Sequence, residues 1–131
     1  MSMYKQFVLS ERLERDGHRA EFDGFVVTLA RVGSEPFNAR LRQLMKPYRG
    51  KVNTEIRNRL FTTAFAEKCV LNWEREIDGQ LVQGIEGPDG STLEFNVENV
   101  RKTLEALPRL YERLAGEASD EDNYREEDAG N

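Results

Sequence analysis

The residues of this chain that could do chemistry are few and badly placed for it. There is one histidine, His18, beside Arg19, and one cysteine, Cys69. A catalytic imidazole needs a partner to exchange protons with, and a nucleophilic thiol needs a base. No histidine lies near Cys69 in sequence, and no Cys or His stands at metal-ligand spacing from it, so the reading for Cys69 is a small buried hydrophobe. One cysteine also excludes an internal disulfide. No Gly-x-Ser-x-Gly, His-Glu-x-x-His or paired-carboxylate metal motif is present. Gly79, Gly84, Gly87 and Gly90 lack the spacing of a phosphate-cradling loop and no lysine follows them, which makes them turn glycines. The carboxylates gather near the C-terminus, where nothing would hold them with catalytic precision. The expectation is a non-enzymatic binding protein with no catalytic residue, no cofactor and no metal.

Charge is the next signal. The 131 residues carry a formal net charge of −5, but unevenly. Residues 116–131 hold seven acids (Glu117, Asp120, Glu121, Asp122, Glu126, Glu127, Asp128) against Arg125 alone. Residues 39–59 hold Arg40, Arg42, Lys46, Arg49, Lys51, Arg57 and Arg59 against Glu55. Either the acidic end folds over the basic stretch, or each meets something different. Phosphate recognition normally comes with a basic domain, and a sequence pI near 5.0 argues against nucleic acid as the partner. No apolar run approaches the ~20 residues needed to span a bilayer, and MSMYKQFVLSERLERDG has no signal-peptide core. A soluble cytoplasmic protein with no membrane partner is expected.

The elements that would position any site follow from periodicity and turn chemistry. Residues 4–9, YKQFVL, fit a strand or a helix start, and the state of residues 4–15 stays open. Asp23-Gly24 separates strand-like runs at 18–22 and 25–31, the cue for a hairpin with positive φ at both turn positions. Phe25, Val27 and Leu29 share one face. Ser34 caps a helix over 35–46 with Pro36 in its first turn, Phe37, Leu41, Leu44 and Met45 on its buried side, and Pro47 as its stop. Thr54 is the expected cap of a second helix, where Ile56, Leu60, Phe61, Ala64, Phe65 and Cys69 recur at helical intervals. Asp78-Gly79 joins strands at 71–77 and 80–85, and Pro88-Asp89-Gly90 makes a further turn. Trp73 anchors this β segment on the helices.

The stretch STLEFNVENVRKTLEALPRLYERLA, residues 91–115, organises the rest. Val97, Val100, Leu104, Leu107, Tyr111 and Leu114 fall on one helical stripe, Asn96 caps it, and Glu98 suits its positive end. Pro108 predicts a kink or two short helices. The fold class is α+β: a mainly helical single domain over residues 1–115 with β-hairpins near 18–31 and 71–95, then a disordered acidic tail over 116–131. The stripe is core, or part of it docks a partner helix. The candidate partner-binding residues are Leu104, Leu107, Leu110, Tyr111 and Leu114.

These residues also carry a resemblance. GIEGPDGSTLEFNVENVRKTLEALPRL (84–110) with Val70-Leu71-Asn72-Trp73 before it, KQFVLSERLERDG (5–17), FVVTLARVG (25–33), PYR (47–49) and the ending REEDAGN resemble the tail assembly chaperones of long-tailed bacteriophages. The resemblance implies a non-catalytic protein of the infected host's cytoplasm, absent from the mature virion. It implies binding of the tape measure protein, which is kept soluble while tail tube subunits assemble around it. The tail tube protein and a second copy of the chain are further partners to test. A small nucleic-acid-associated phage regulator and a minor structural tail component stay open as alternatives.

Overall fold

A computed structural model describes residues 2–126. Its centre is a four-stranded antiparallel sheet in the order β1-β2-β3-β4, formed by His18–Phe22, Phe25–Leu29, Val70–Ile77 and Gln80–Gln83. A two-stranded ribbon, β5 (Ile85–Glu86) with β6 (Thr92–Leu93), sits at its margin. Helices α1 (Met3–Phe7) and α2 (Glu11–Asp16) precede the sheet. Helices α3 (Glu35–Met45) and α4 (Thr54–Lys68) separate β2 from β3, and α5 (Val97–Ala106) and α6 (Pro108–Ser119) close the chain before a 3₁₀ turn at Glu121–Tyr124. The fold is α+β, as the alternation of hairpin cues and helical stripes implies.

The turns explain the sheet. Asp78 and Gly79 both take positive φ, 52° and 80°, the pairing that a two-residue hairpin loop favours. At Asp23-Gly24 only Gly24 does, with φ 85°. That hairpin therefore forms with the left-handed position confined to glycine, not with both positions reversed as expected. Register then sets the faces. Ala20 pairs with Val27, and Val27 with Trp73, so these three lie on one face and all are buried beneath the helices. The opposite face is mixed: Arg19 and Glu21 are exposed on it and Arg19 pairs with Glu74 at 3.6 Å, while Val26 is buried. Trp73 keeps its indole N–H satisfied on Leu93 O at 3.2 Å and meets Phe95 edge-on, which is the anchoring role its position implied.

The helices follow their caps. Asn96 accepts from Asn99 N–H at 2.8 Å to start α5, and Pro108 divides the long stripe into α5 and α6. At α4 the cap is Asn53, not Thr54: its Oδ1 accepts from Ile56 N–H at 2.8 Å, and an Asn in extended backbone does this as well as a hydroxyl. Ser34 occupies the cap position of α3 without making a side-chain cap bond. The open segment 4–15 resolves into two short helices capped by Ser2 and Ser10. Gly17 ends the second at φ 90°, and a Cβ there would stand 2.9 Å from Leu71 Cδ1 and 3.0 Å from Leu29 O.

The expected boundary of the tail is corrected. α6 runs on to Ser119, burying Ala118 completely, and the 3₁₀ turn buries Tyr124, whose hydroxyl donates to Leu29 O at 3.0 Å. Glu126 accepts from Ser10 Oγ at 2.7 Å and from Arg12, while Arg125 bonds Gln6 O. Residues 116–126 are thus part of the domain, and the expected disorder of residues 127–131 lies outside the described residues. Three of the described acids of this segment, Glu117, Glu126 and Asp122, pair with His18, Arg12 and Arg125, not with the basic stretch 39–59.

Candidate partner-binding groove

The groove lies where one end of the sheet meets the break between α5 and α6. Phe25, on the helix-facing side of β2, pairs with Arg75 of β3, and Ile77 lies two residues further along the same face. Proline excludes its preceding residue from helical backbone, and Leu107 takes φ −125° and ψ 74° there. The break turns Leu107 outward, 51% exposed, over a sheet end where Ile77 is 43% exposed. Phe22 and Phe25 stack at 4.8 Å beside it, with the Arg113 guanidinium 5.2 Å from the Phe22 ring.

Two hollows result. One, of about 650 Å³, lies among Phe25, Ile77, Ile85, Leu107 and Leu110. Another, of about 500 Å³, lies among Ile85, Pro88, Leu93, Ala106 and Leu107. Leu107, Ile85, Glu86 and Thr103 line both, so they form one surface with Leu107 at its ridge. The rim is acidic: Asp23, Glu76 and Glu86 line the larger hollow, and none of the three has an ion pair among the described residues. Two cations stand in the lining: Arg75 donates to Thr92 Oγ1 at 2.7 Å, and Lys102, in the smaller hollow, pairs with Glu98 at 3.7 Å. An apolar trough with negative edges suits an amphipathic helix flanked by basic residues.

The five sequence-derived candidates divide here. Leu107 and Leu110 line the groove. Leu104 and Leu114 do not: each is 2% exposed within the core, although Leu104 borders a separate hollow of about 540 Å³ that Tyr111, Phe61 and Pro108 also line. Tyr111 lies on the far side of the Pro108 break, its ring 5.4 Å from Phe65 and 6.5 Å from Phe61. Burial raises its phenol above the ordinary value. Phe25, Ile77 and Ile85 were missed. The available signal was an apolar residue immediately before a hairpin turn, since Ile77 abuts Asp78-Gly79 and a hairpin tip reaches past its layer.

The remaining chemical candidates serve structure. Cys69 is fully buried and its thiol is pushed up to about 12 by burial, so it stays protonated. His18 Nε2 lies 2.9 Å from Glu117 Oε2, which also accepts from Asn123 Nδ2, tying α6 to β1. Among the described residues no group of three His, Cys, Asp or Glu could hold a metal ion, and no helix is long and apolar enough to cross a membrane.

Fold and groove define a small α+β protein in which a single sheet is only partly roofed by helices. A family model described as YdaY prophage protein matches residues 32–131, which includes α3 to α6 and the four strands from β3 onward. The chain belongs to this family of prophage proteins. No curated protein and no solved structure matches it.

Proposed function

We propose that this prophage protein is a non-catalytic tail assembly chaperone that shields apolar helical stretches of the tape measure protein and promotes tail tube assembly around it. The observation that carries the reading is the open groove at the Leu107-Pro108 break, with its apolar floor and its acidic rim of Asp23, Glu76 and Glu86. The phage family and the resemblance of residues 84–110 to tail assembly chaperones supply the client. A tape measure protein is long and largely helical, and an amphipathic helix laid in the groove would bury its stripe while the chaperone's charged exterior faces water. The protein would act in the host cytoplasm and leave before the virion is complete.

The test is co-expression with the tape measure protein of the same prophage, followed by size-exclusion chromatography with light scattering at low and high salt. A soluble complex with many chains per client that survives high salt supports apolar docking, because salt does not weaken burial of apolar surface. A client that stays insoluble while this chain elutes alone defeats the reading.

A nucleic-acid-associated regulator is the second reading, favoured by one observation. Lys46, Arg49, Lys51 and Arg57 are exposed around the end of α3 and the start of α4 and have no ion pair among the described residues. Binding through these side chains would weaken steeply with salt, the opposite of the expectation for the groove.

A further inference from the structure

The two outer edges of the four-stranded sheet are built differently. β1 lies at one edge and β4 at the other. An open edge presents a row of N–H and C=O groups to any passing strand, and natural proteins blunt it with charged side chains, proline or bulges. β1 carries such charges: Arg19 and Glu21 are exposed on it, and His18 is tied to Glu117 of α6. β4, with the sequence Gln80-Leu81-Val82-Gln83, has no charge and no proline, and its register with β3 runs without a bulge. All four of its residues are exposed, Leu81 at 43% and Val82 at 39%.

Register shows which backbone groups of β4 are free. Asp78 and Gly79 form a two-residue turn, so Ile77 and Gln80, which flank it, exchange hydrogen bonds with each other. The pattern then alternates along the strand. Val82 faces Arg75, and Gly84 N–H donates to Trp73 O at 3.1 Å, which makes the even-numbered residues the inward ones. Leu81 and Gln83 therefore turn their N–H and C=O groups away from β3, about 7 Å apart. Among the described residues no hydrogen bond from another element reaches either. The neighbouring ribbon does not fill the place, because Gly84 redirects the chain at φ 88° and β5 pairs with β6 in a separate sheet.

We infer that β4 pairs antiparallel with β4 of a second copy, joining two four-stranded sheets into one continuous sheet. Outward N–H and C=O groups in a row are satisfied together only by extended backbone. The two-fold axis of an antiparallel strand pair stands perpendicular to the sheet, so residues that meet must come from the same face. Matching outward groups under that condition sets Leu81 opposite Gln83 of the second copy, and Val82 opposite Val82 on the axis. This register makes four backbone hydrogen bonds within β4. Registers centred on Leu81 or Gln83 leave two, because Gly79 and Gly84 at positive φ bound the strand. The side chains agree with it: no charge meets a like charge, and the exposed Leu81 and Val82 are covered. Pairing β4 with β1 instead would set Arg19 and Glu21 against Leu81 and Gln83 without a counter-charge. The contact is isologous and uses β4 of both copies, so it closes at two.

The experiment is size-exclusion chromatography with light scattering of the full chain from about 10 μM to about 1 mM, the range for a contact of small area. The mass should rise from that of one chain toward that of two and no further. Proline reads the backbone directly. Leu81→Pro and Gln83→Pro each remove an outward N–H that bonds nothing within the molecule, and proline is tolerated at such edge positions. Each should weaken the dimer by at least about tenfold while thermal unfolding matches the wild type. A covalent test needs no such tolerance. Val82→Cys places two thiols across the axis in a non-hydrogen-bonded pair, with Cβ atoms within about 5.5 Å, so diamide should link it to itself. Glu21→Cys on β1 should crosslink at least about tenfold more slowly, and the fully buried Cys69 takes no part. A wild type that stays monomeric at the highest concentration overturns the inference. So does growth past two copies, a dimer undiminished in both folded proline variants, or Val82→Cys that links no faster than Glu21→Cys. The groove is untouched by these changes, so failure here leaves the chaperone reading to its own test.

Discussion

The two ends of the β1-β2 hairpin meet the same physical problem and answer it differently. At the His18–Leu29 end the helix-facing side of the sheet is closed: Tyr124 and Ala118 are fully buried there, Tyr124 is bonded to Leu29 O, and Glu117 holds His18. At the Phe22–Phe25 end the same side is open, with Leu107 and Ile77 facing solvent over stacked phenylalanines. Both ends had apolar side chains within reach to seal them. The closed end is sealed by a segment whose composition looks like a solvated tail, while the open end lies below the apolar stripe that runs through α5 into α6. Coverage is therefore set by where the backbone goes after a break, not by how much apolar sequence is nearby. The Pro108 break leaves the open end open, and α6 running past it closes the other.

The contrast is broken most directly at Tyr124. Replacing it with Ala removes a fully buried ring and leaves Leu29 O without its donor, a loss of about 3–4 kcal/mol of stability. Tyr124→Phe keeps the ring and costs about 1 kcal/mol. Urea denaturation followed by circular dichroism measures both. A midpoint unchanged in Tyr124→Ala would mean that the closed end contributes nothing and that residues 116–126 behave as a tail after all.

Leu104, inside α5, and Leu107, just past its end, sharpen the comparison next. Leu104→Ala should cost about 3 kcal/mol, because it is 2% exposed in the core. Leu107→Ala should cost less than about 0.5 kcal/mol, as a half-exposed residue outside the packed layer does. The same pair of variants should rank in reverse for client capture, provided that Leu104→Ala is assayed below its melting temperature. Equal costs in denaturation would show that Leu107 is packed and that the groove is closed in solution.

Much of this architecture was legible in the sequence, and the failures have physical causes. Asp78-Gly79 and Asn96 announced their hairpin and their helix because a left-handed turn and a free helix end each demand particular residue types. Pro108 announced the break. The stripe from Val97 to Leu114 was read as one surface, but periodicity reports only which residues share a helical face. Whether that face meets protein or water depends on the lengths of two layers, and no local pattern records that. Leu107 and Leu110, which line the open end, were thus grouped with Leu104 and Leu114, which are core. The segment 116–126 reads as a tail because one alanine and one tyrosine do its packing. Ala118 adds little to a hydropathy pattern, and Glu117, Glu121 and Asp122 outweigh Tyr124 in any composition window. The helices before the sheet are five and six residues long, too short for periodicity to separate helix from strand.

The smallest effect expected is electrostatic, and it belongs to the closed end alone. Hydrogen bonds from Ser10 and Arg12 hold the Glu126 carboxyl below the ordinary glutamate value of 4.5. A carboxyl depressed on folding stabilises the fold above its unfolded value and loses that contribution as pH falls through its folded value. Acidification below about 4.5 should therefore loosen the clasp between the C-terminal segment and the loop before α2, while the groove, held by apolar contacts, keeps its shape. The wild type and Glu126→Gln should differ slightly in urea midpoint at neutral pH and converge in acid. The side chain is exposed and the Arg12 pair is screened, so the gap should narrow with added salt as well. A gap that persists in acid would mean that the amide substitution disturbs Ser10 sterically and that charge has no part in closing this end.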